Sequence, residues 1–216
     1  PGGHPAGMPG RYDFSSDHIL KSVEGSLTRL GVETIDLLML HRPDSLMDPT
    51  EVAGAFDQLH RAGKVREFGV SNFRSSQVAL LQRFLPRRLC VHQVEISLLQ
   101  RAALDDDTLN QCLGEQLTPM AWSPLAGGLL GDRVHGLPPG HRGYSTDGVK
   151  PVLDLIAANL GVSRAQLALA WLLKHPARIQ PVVGSVQPES IRDLARATEI
   201  SLSREDWYRL LVAARG

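Results

Sequence analysis

Short apolar runs alternate along this chain with longer segments in which apolar residues return every three or four positions. The first periodic segment, Ser16–Leu30, puts Ile19, Leu20, Val23, Leu27 and Leu30 at helical spacing. Ser16 or Asp17 is its expected cap and Gly31 its stop. The run Ile35–Leu40, apolar but for Asp36, reads as a first strand. A helix over 50–62 follows, with Val52, Ala55, Phe56 and Leu59 on one face, and Gly63 ends it. Residues 65–70 form a second strand, Ser75–Phe84 a helix, 89–94 a third strand, 104–116 a helix and 118–121 a short fourth strand. Helices resume at Val149–Leu160 and 164–174, a fifth strand at 181–183, and helices at 188–197 and 203–214. Ser203 caps the last one, with Glu205 and Asp206 in its first turn.

Strands alternating with helices predict βα units and a parallel sheet. In such folds function gathers at the C-terminal ends of the strands. Those ends carry polar residues here: His41, Ser71 with Asn72, Gln93 with Glu95, Trp122 with Ser123, and Gly184 with Ser185. Residues 1–15 read as a flexible N-terminal segment and 16–216 as the folded part. A Gly- and Pro-rich stretch interrupts the latter, with a lid-like loop over about 131–150.

Composition narrows the function classes. A net charge of +0 over 216 residues, with 43% hydrophobic and 21% charged, is that of a soluble globular chain. It gives no support to nucleic-acid or membrane-surface binding, and the Arg83, Arg87, Arg88 group reads as a solvated helix end. Two cysteines, Cys90 and Cys112, make no metal or disulfide framework, which points to a reducing, cytoplasmic setting. No apolar stretch reaches the roughly 18 residues of a membrane helix. The opening PGGHPAGMPG has neither the basic start nor the apolar core of a signal peptide.

Each candidate has a plain reading beside a functional one. His41 could cap its strand through a backbone hydrogen bond or hold a substrate carbonyl. Asn72 could be a turn former or an amide that grips a ligand. Trp122 could pack the core or stack on a ring.

Five stretches weigh on that choice: LLMLHRPDSLMD, GKVREFGVSNF, HQVEISLLQR, MAWSPLAGGLL and VVGSVQPESIRD. In this order and spacing the chain resembles the aldo-keto reductases, nearest to their bacterial oxidoreductase branch, from about Tyr12 to Trp207. The resemblance implies a (β/α)8 TIM barrel that reduces aldehydes or ketones with a nicotinamide cofactor, NADP(H) ahead of NAD(H). The family works with an Asp, Tyr, Lys and His tetrad, and His41 matches its histidine. The other three would precede the first strand seen here. The segment around Tyr12 resembles the lead into the helix before the family's fourth strand, and Tyr144 and Tyr208 match no tetrad position. The expectation is therefore an incomplete barrel of about five of eight βα units, the first three strands absent, inactive as it stands. Its open sheet edges offer a route to self-association. The alternative is a non-catalytic remnant that binds a cofactor or a partner.

The resemblance also implies roles for the strand ends. Asn72 and Gln93, with Ser71 beside them, would hold the nicotinamide carboxamide, and Trp122 would stack on the ring. Ser123, Leu125, Gly127 and Gly128 match the pyrophosphate loop. Gly184, Ser185, Gln187, Ser190 and Asp193 fall where relatives grip the adenosine end. A basic residue often recognises the 2′-phosphate where Ser190 stands; Arg192 is nearby on another face of its helix. No metal is implied.

Overall fold

A computed structural model describes residues 12–132 and 143–216. Most of the N-terminal segment and the middle of the lid-like loop, 133–142, lie outside the described residues. The elements run α1 (Ser16–Leu30), β1 (Ile35–Leu40), α2 (Pro49–Arg61), β2 (Val65–Ser71), α3 (Ser75–Phe84), β3 (Val91–Glu95), α4 (Ala102–Asp105) and α5 (Thr108–Glu115). Then come β4 (Thr118–Trp122), α6 (Val149–Leu160), α7 (Arg164–Leu173), β5 (Gln180–Pro181), α8 (Pro188–Ala195) and α9 (Arg204–Arg215). The strands form one sheet in the order β1-β2-β3-β4-β5, and every pairing with a described register is parallel.

The chain divides into two compact units. One runs to Gln93 and takes in Glu115–Leu117; the other is Val94–Gly114 with Thr118–Gly216. In the first, β1 and β2 pair from Ile35↔Val65 to Leu40↔Val70, and β2 and β3 from Gly69↔Val91 to Ser71↔Gln93. The predicted face of α2 is buried, and Phe56 stacks on Phe68 of β2 with ring centroids 4.0 Å apart. Helix α1 stops as foreseen: Gly31, at φ 66°, returns its N–H to the Leu27 carbonyl at 2.9 Å. Its cap, however, is Ser15, one residue before the expected pair, with Oγ accepting from His18 N.

In the second unit, α6, α7 and α9 bury Leu153, Leu167, Trp171, Leu172 and Leu210 together. Trp171 and Trp207 stack at 5.0 Å, and each indole donates to the other's carbonyl: Trp171 Nε1 to Trp207 O at 3.1 Å, Trp207 Nε1 to Trp171 O at 2.9 Å. The helix expected over 104–116 is two, α4 and α5. They break at Asp106, whose Oδ1 caps Thr108 N at 3.1 Å, and at Asp107, which has φ 67°. Strand β5 is shorter and earlier than expected. It pairs Met120↔Gln180 and Ala121↔Pro181, and Val182 N adds one bond to Ala121 O at 2.8 Å.

Candidate active site

In the first unit the parallel register brings three strand ends level, and Asn72 joins them. It follows β2 with φ 59°, a left-handed conformation that Asn tolerates better than most residues. Its N–H donates to Gln93 O of β3 at 2.9 Å. Its Nδ2 donates to Ser71 Oγ at 2.8 Å and to His41 O, just past β1, at 3.2 Å. Turn former and side-chain clamp are thus one residue. Ser71 is buried, Gln93 half-buried, and His41 exposed. The His41 imidazole titrates below its ordinary value, chiefly through loss of solvation and further through the Arg42 charge beside it.

The second unit holds the other candidates. After β4 the chain turns sharply: Ser123, Ala126, Gly127 and Gly128 have φ of 49°, 50°, 68° and 100°. Turn bonds close it, Gly128 N to Leu125 O at 2.9 Å and Gly131 N to Gly128 O at 3.0 Å. Glycine accepts such φ values without a Cβ penalty, which is why the Gly-Gly pair stands there. This loop walls a cavity of about 860 Å³ with Ser123, Leu125, Gly127 and Gly128. The opposite wall, after β5 and along α8, brings Gly184, Ser185, Gln187, Ser190 and Asp193. Trp122 is half-buried and is not part of that wall.

The cavity includes residues that the sequence reading missed: Asp132, Ser163, Ala165, Val186 and Glu189. Ser163 and Ala165 come from the start of α7, where Ser163 and Gln166 form a reciprocal cap. That capping pattern was a legible signal; for Asp132 there was none, because its partners are 32 and 33 positions away. Among the described residues no helix alone is long and apolar enough to cross a membrane. No group of three His, Cys, Asp or Glu among them is placed to hold a metal ion.

The family model described as Aldo/keto reductase family matches residues 6–213. The chain belongs to the aldo/keto reductase family. It is 44% identical to 6-dehydroglucose reductase of Novosphingobium aromaticivorans, an alignment covering 95% of this chain and 65% of that protein. It is 42% identical to oxidoreductase YdhF of Escherichia coli, over 96% of this chain and 66% of the relative. Against 6-dehydroglucose reductase of Agrobacterium fabrum the identity is 39%, over 100% and 69%. The chain therefore spans about two thirds of the length of these aldo/keto reductases. Among solved structures, the thermostable aldo-keto reductase Tm1743 with the inhibitor epalrestat superposes with a TM-score of 0.79. Its identity is 30%, over 93% of this chain and 67% of that one. The chain has the α/β fold of the family, and its described strands form a five-stranded parallel sheet.

Proposed function

We propose that the chain carries the dinucleotide cavity and the histidine of an oxidoreductase that reduces an aldehyde or ketone to an alcohol. The observation that carries this reading is the cavity of about 860 Å³ between the glycine loop and α8. Its volume is within the ~300–1,000 Å³ of small-molecule sites, and backbone at positive φ lets a ligand approach closely. Ser123, Leu125, Gly127 and Gly128 would take the pyrophosphate, and Gly184, Ser185, Gln187, Ser190 and Asp193 the adenosine end. In the other unit, Gln93 offers an amide donor and acceptor to the nicotinamide carboxamide, and Asn72, whose Nδ2 donates to Ser71 and His41, offers its Oδ1, with Ser71 beside them. Trp122 offers a flat face to the ring.

A bound, reduced nicotinamide supplies the hydride. His41 stays neutral near pH 7, because its pKa is lowered. It donates one N–H to the carbonyl oxygen as negative charge grows there. The proton that completes the alcohol needs a donor that none of the 216 residues supplies by resemblance. The chain tested by itself is therefore expected to be inactive, as an incomplete (β/α)8 barrel whose tetrad is represented by His41. NADP(H), which the resemblance puts first, usually has a cationic partner for its 2′-phosphate, and the described cavity wall has no Lys, Arg or His. Two relatives are named 6-dehydroglucose reductase, so a sugar aldehyde heads the substrates to test.

The test has two arms. Absorbance loss of reduced dinucleotide with an aldehyde panel should stay at background for the 216-residue chain; turnover that His41→Ala abolishes would refute the missing-donor argument. Calorimetric titration with dinucleotide should give saturable heat that Gly128→Val removes, since φ 100° strains any β-branched residue. No saturable heat would sink the cavity reading.

A further inference from the structure

Among the described residues, the ionisable side chains on the cavity wall are three, and all are carboxylates: Asp132, Glu189 and Asp193. The fold fixes two of them tightly. Asp132 accepts from Arg164 N at 3.0 Å and from Ala165 N at 3.3 Å. A carboxylate thus already occupies the N-terminus of α7, an end that would otherwise attract an anion. Asp193 accepts from Gln166 Nε2 at 2.8 Å, and the same nitrogen donates to the Asp193 carbonyl at 2.9 Å. Gln166 is itself buried, and its Oε1 accepts from Ser163 N at 3.0 Å. Its amide therefore has one orientation, and Asp193 is held with it.

Glu189 lies in the first turn of α8, where Pro188 at the helix start has no N–H to offer. Arg164 stands between two wall residues in sequence, yet its guanidinium is committed elsewhere. Nε donates to Asp154 Oδ1 at 2.6 Å and Nη1 to Gly131 O at 2.7 Å.

We infer that this cavity takes an ADP-ribose group whose ribose keeps its 2′-hydroxyl and rejects the 2′-phosphorylated form, so that the protein uses NAD(H) rather than NADP(H). This rests on the reading of the cavity as the dinucleotide site, and it reverses the preference that the resemblance implies. A 2′-phosphate would bring about 1.5 to 2 negative charges to a wall that already carries three carboxylates. A ribose hydroxyl does the opposite, because it can donate to a carboxylate. Ser190, where relatives often place a base, leaves only a hydroxyl of its own.

The probes that separate the two readings are ADP-ribose and 2′-phospho-ADP-ribose, which lack the nicotinamide and need only this cavity. Calorimetry on the 216-residue chain should find ADP-ribose at least about tenfold tighter, since like charges set together are strongly disfavoured. Raising salt should narrow the gap by screening. Glu189→Lys and Ser190→Arg, both at accessible positions, should each move the ratio about tenfold toward the phosphorylated probe. Equal or tighter binding of the phosphorylated probe by the unchanged chain overturns the inference while leaving the cavity reading intact. So does a ratio that neither substitution moves. Binding of neither probe overturns both.

Discussion

Gly69 sits in the middle of β2, two residues before Ser71, and its missing side chain is a packing requirement. A Cβ there would lie 2.8 Å from the Val91 carbonyl oxygen and 3.2 Å from both Met39 Cγ and Val91 Cβ. The methionine can swing aside. The Val91 oxygen cannot, because it belongs to the neighbouring strand, which is registered Gly69↔Val91. Overpacking of this kind costs about 1–3 kcal/mol, and a backbone obstacle argues for the upper half of that range. Alanine returns roughly 0.5–1 kcal/mol over glycine inside a strand, so Gly69→Ala should lose about 1–2.5 kcal/mol net. With a urea slope of about 2 kcal/mol/M, the unfolding midpoint should fall by roughly 0.5–1.2 M.

Gly54→Ala is the internal control. Gly54 lies inside α2, is exposed, and has nothing within 4 Å of an added Cβ. It should gain up to about 1 kcal/mol from helix propensity. Urea denaturation followed by circular dichroism distinguishes the two. If both glycines respond alike, the close approach of β2 to β3 is not what keeps Gly69 small. A shift in strand separation should also disturb the bond from Asn72 N to Gln93 O at 2.9 Å, so the amide resonance of Asn72 should move in Gly69→Ala and stay in place in Gly54→Ala.

Other expectations concern the histidines and the indole pair. The rings of His41 and His175 should both titrate below 6.5 by NMR, because loss of solvation disfavours their charged forms, with the Arg42 charge adding to this at His41. Between the folded and unfolded pKa values the unfolded chain then binds more protons, so stability should rise with pH up to about 6.5 and level off above it; a stability that falls with pH over that range would contradict both shifts. Trp207→Phe keeps an aromatic ring against Trp171 but removes the N–H that donates at 2.9 Å. It should cost about 1–2 kcal/mol in denaturant titration, and an unchanged midpoint would mean that the reciprocal bonds contribute nothing.

Much of this architecture was legible because apolar spacing reports burial directly. The α2 face of Val52, Ala55, Phe56 and Leu59 is buried as spaced, and Ile35–Leu40 and Ser75–Phe84 are elements with those bounds. Failures came where local chemistry competes with periodicity. Ser15, Ser16 and Asp17 are all able caps, and only the chain's path selects Ser15. Asp106 and Asp107 hide a helix break inside a helical pattern, since a side-chain cap and one positive φ are invisible to hydrophobic spacing. Strand β5 was misplaced because Val182 and Val183 look like strand residues, whereas its pairing begins at Gln180 and ends by Pro181. At the site, motifs located the glycine loop and α8, but Asp132 joins the wall through contacts far along the chain, and no local pattern encodes those.

The two indoles that exchange hydrogen bonds have a consequence for how the chain is made. Trp171 is nearly inaccessible, and both its stacking partner and the carbonyl that its N–H needs belong to Trp207, 36 positions further along the chain. Synthesis runs from the N-terminus, so Trp171 leaves the ribosome with neither. The second unit must wait until Trp207 has left the ribosome before this clasp can close, while the first, almost wholly encoded before Val94, has its sequence in hand far earlier. A stop codon that trims only the final helix should thus spare the fold around His41 and leave Trp171 exposed to quenchers.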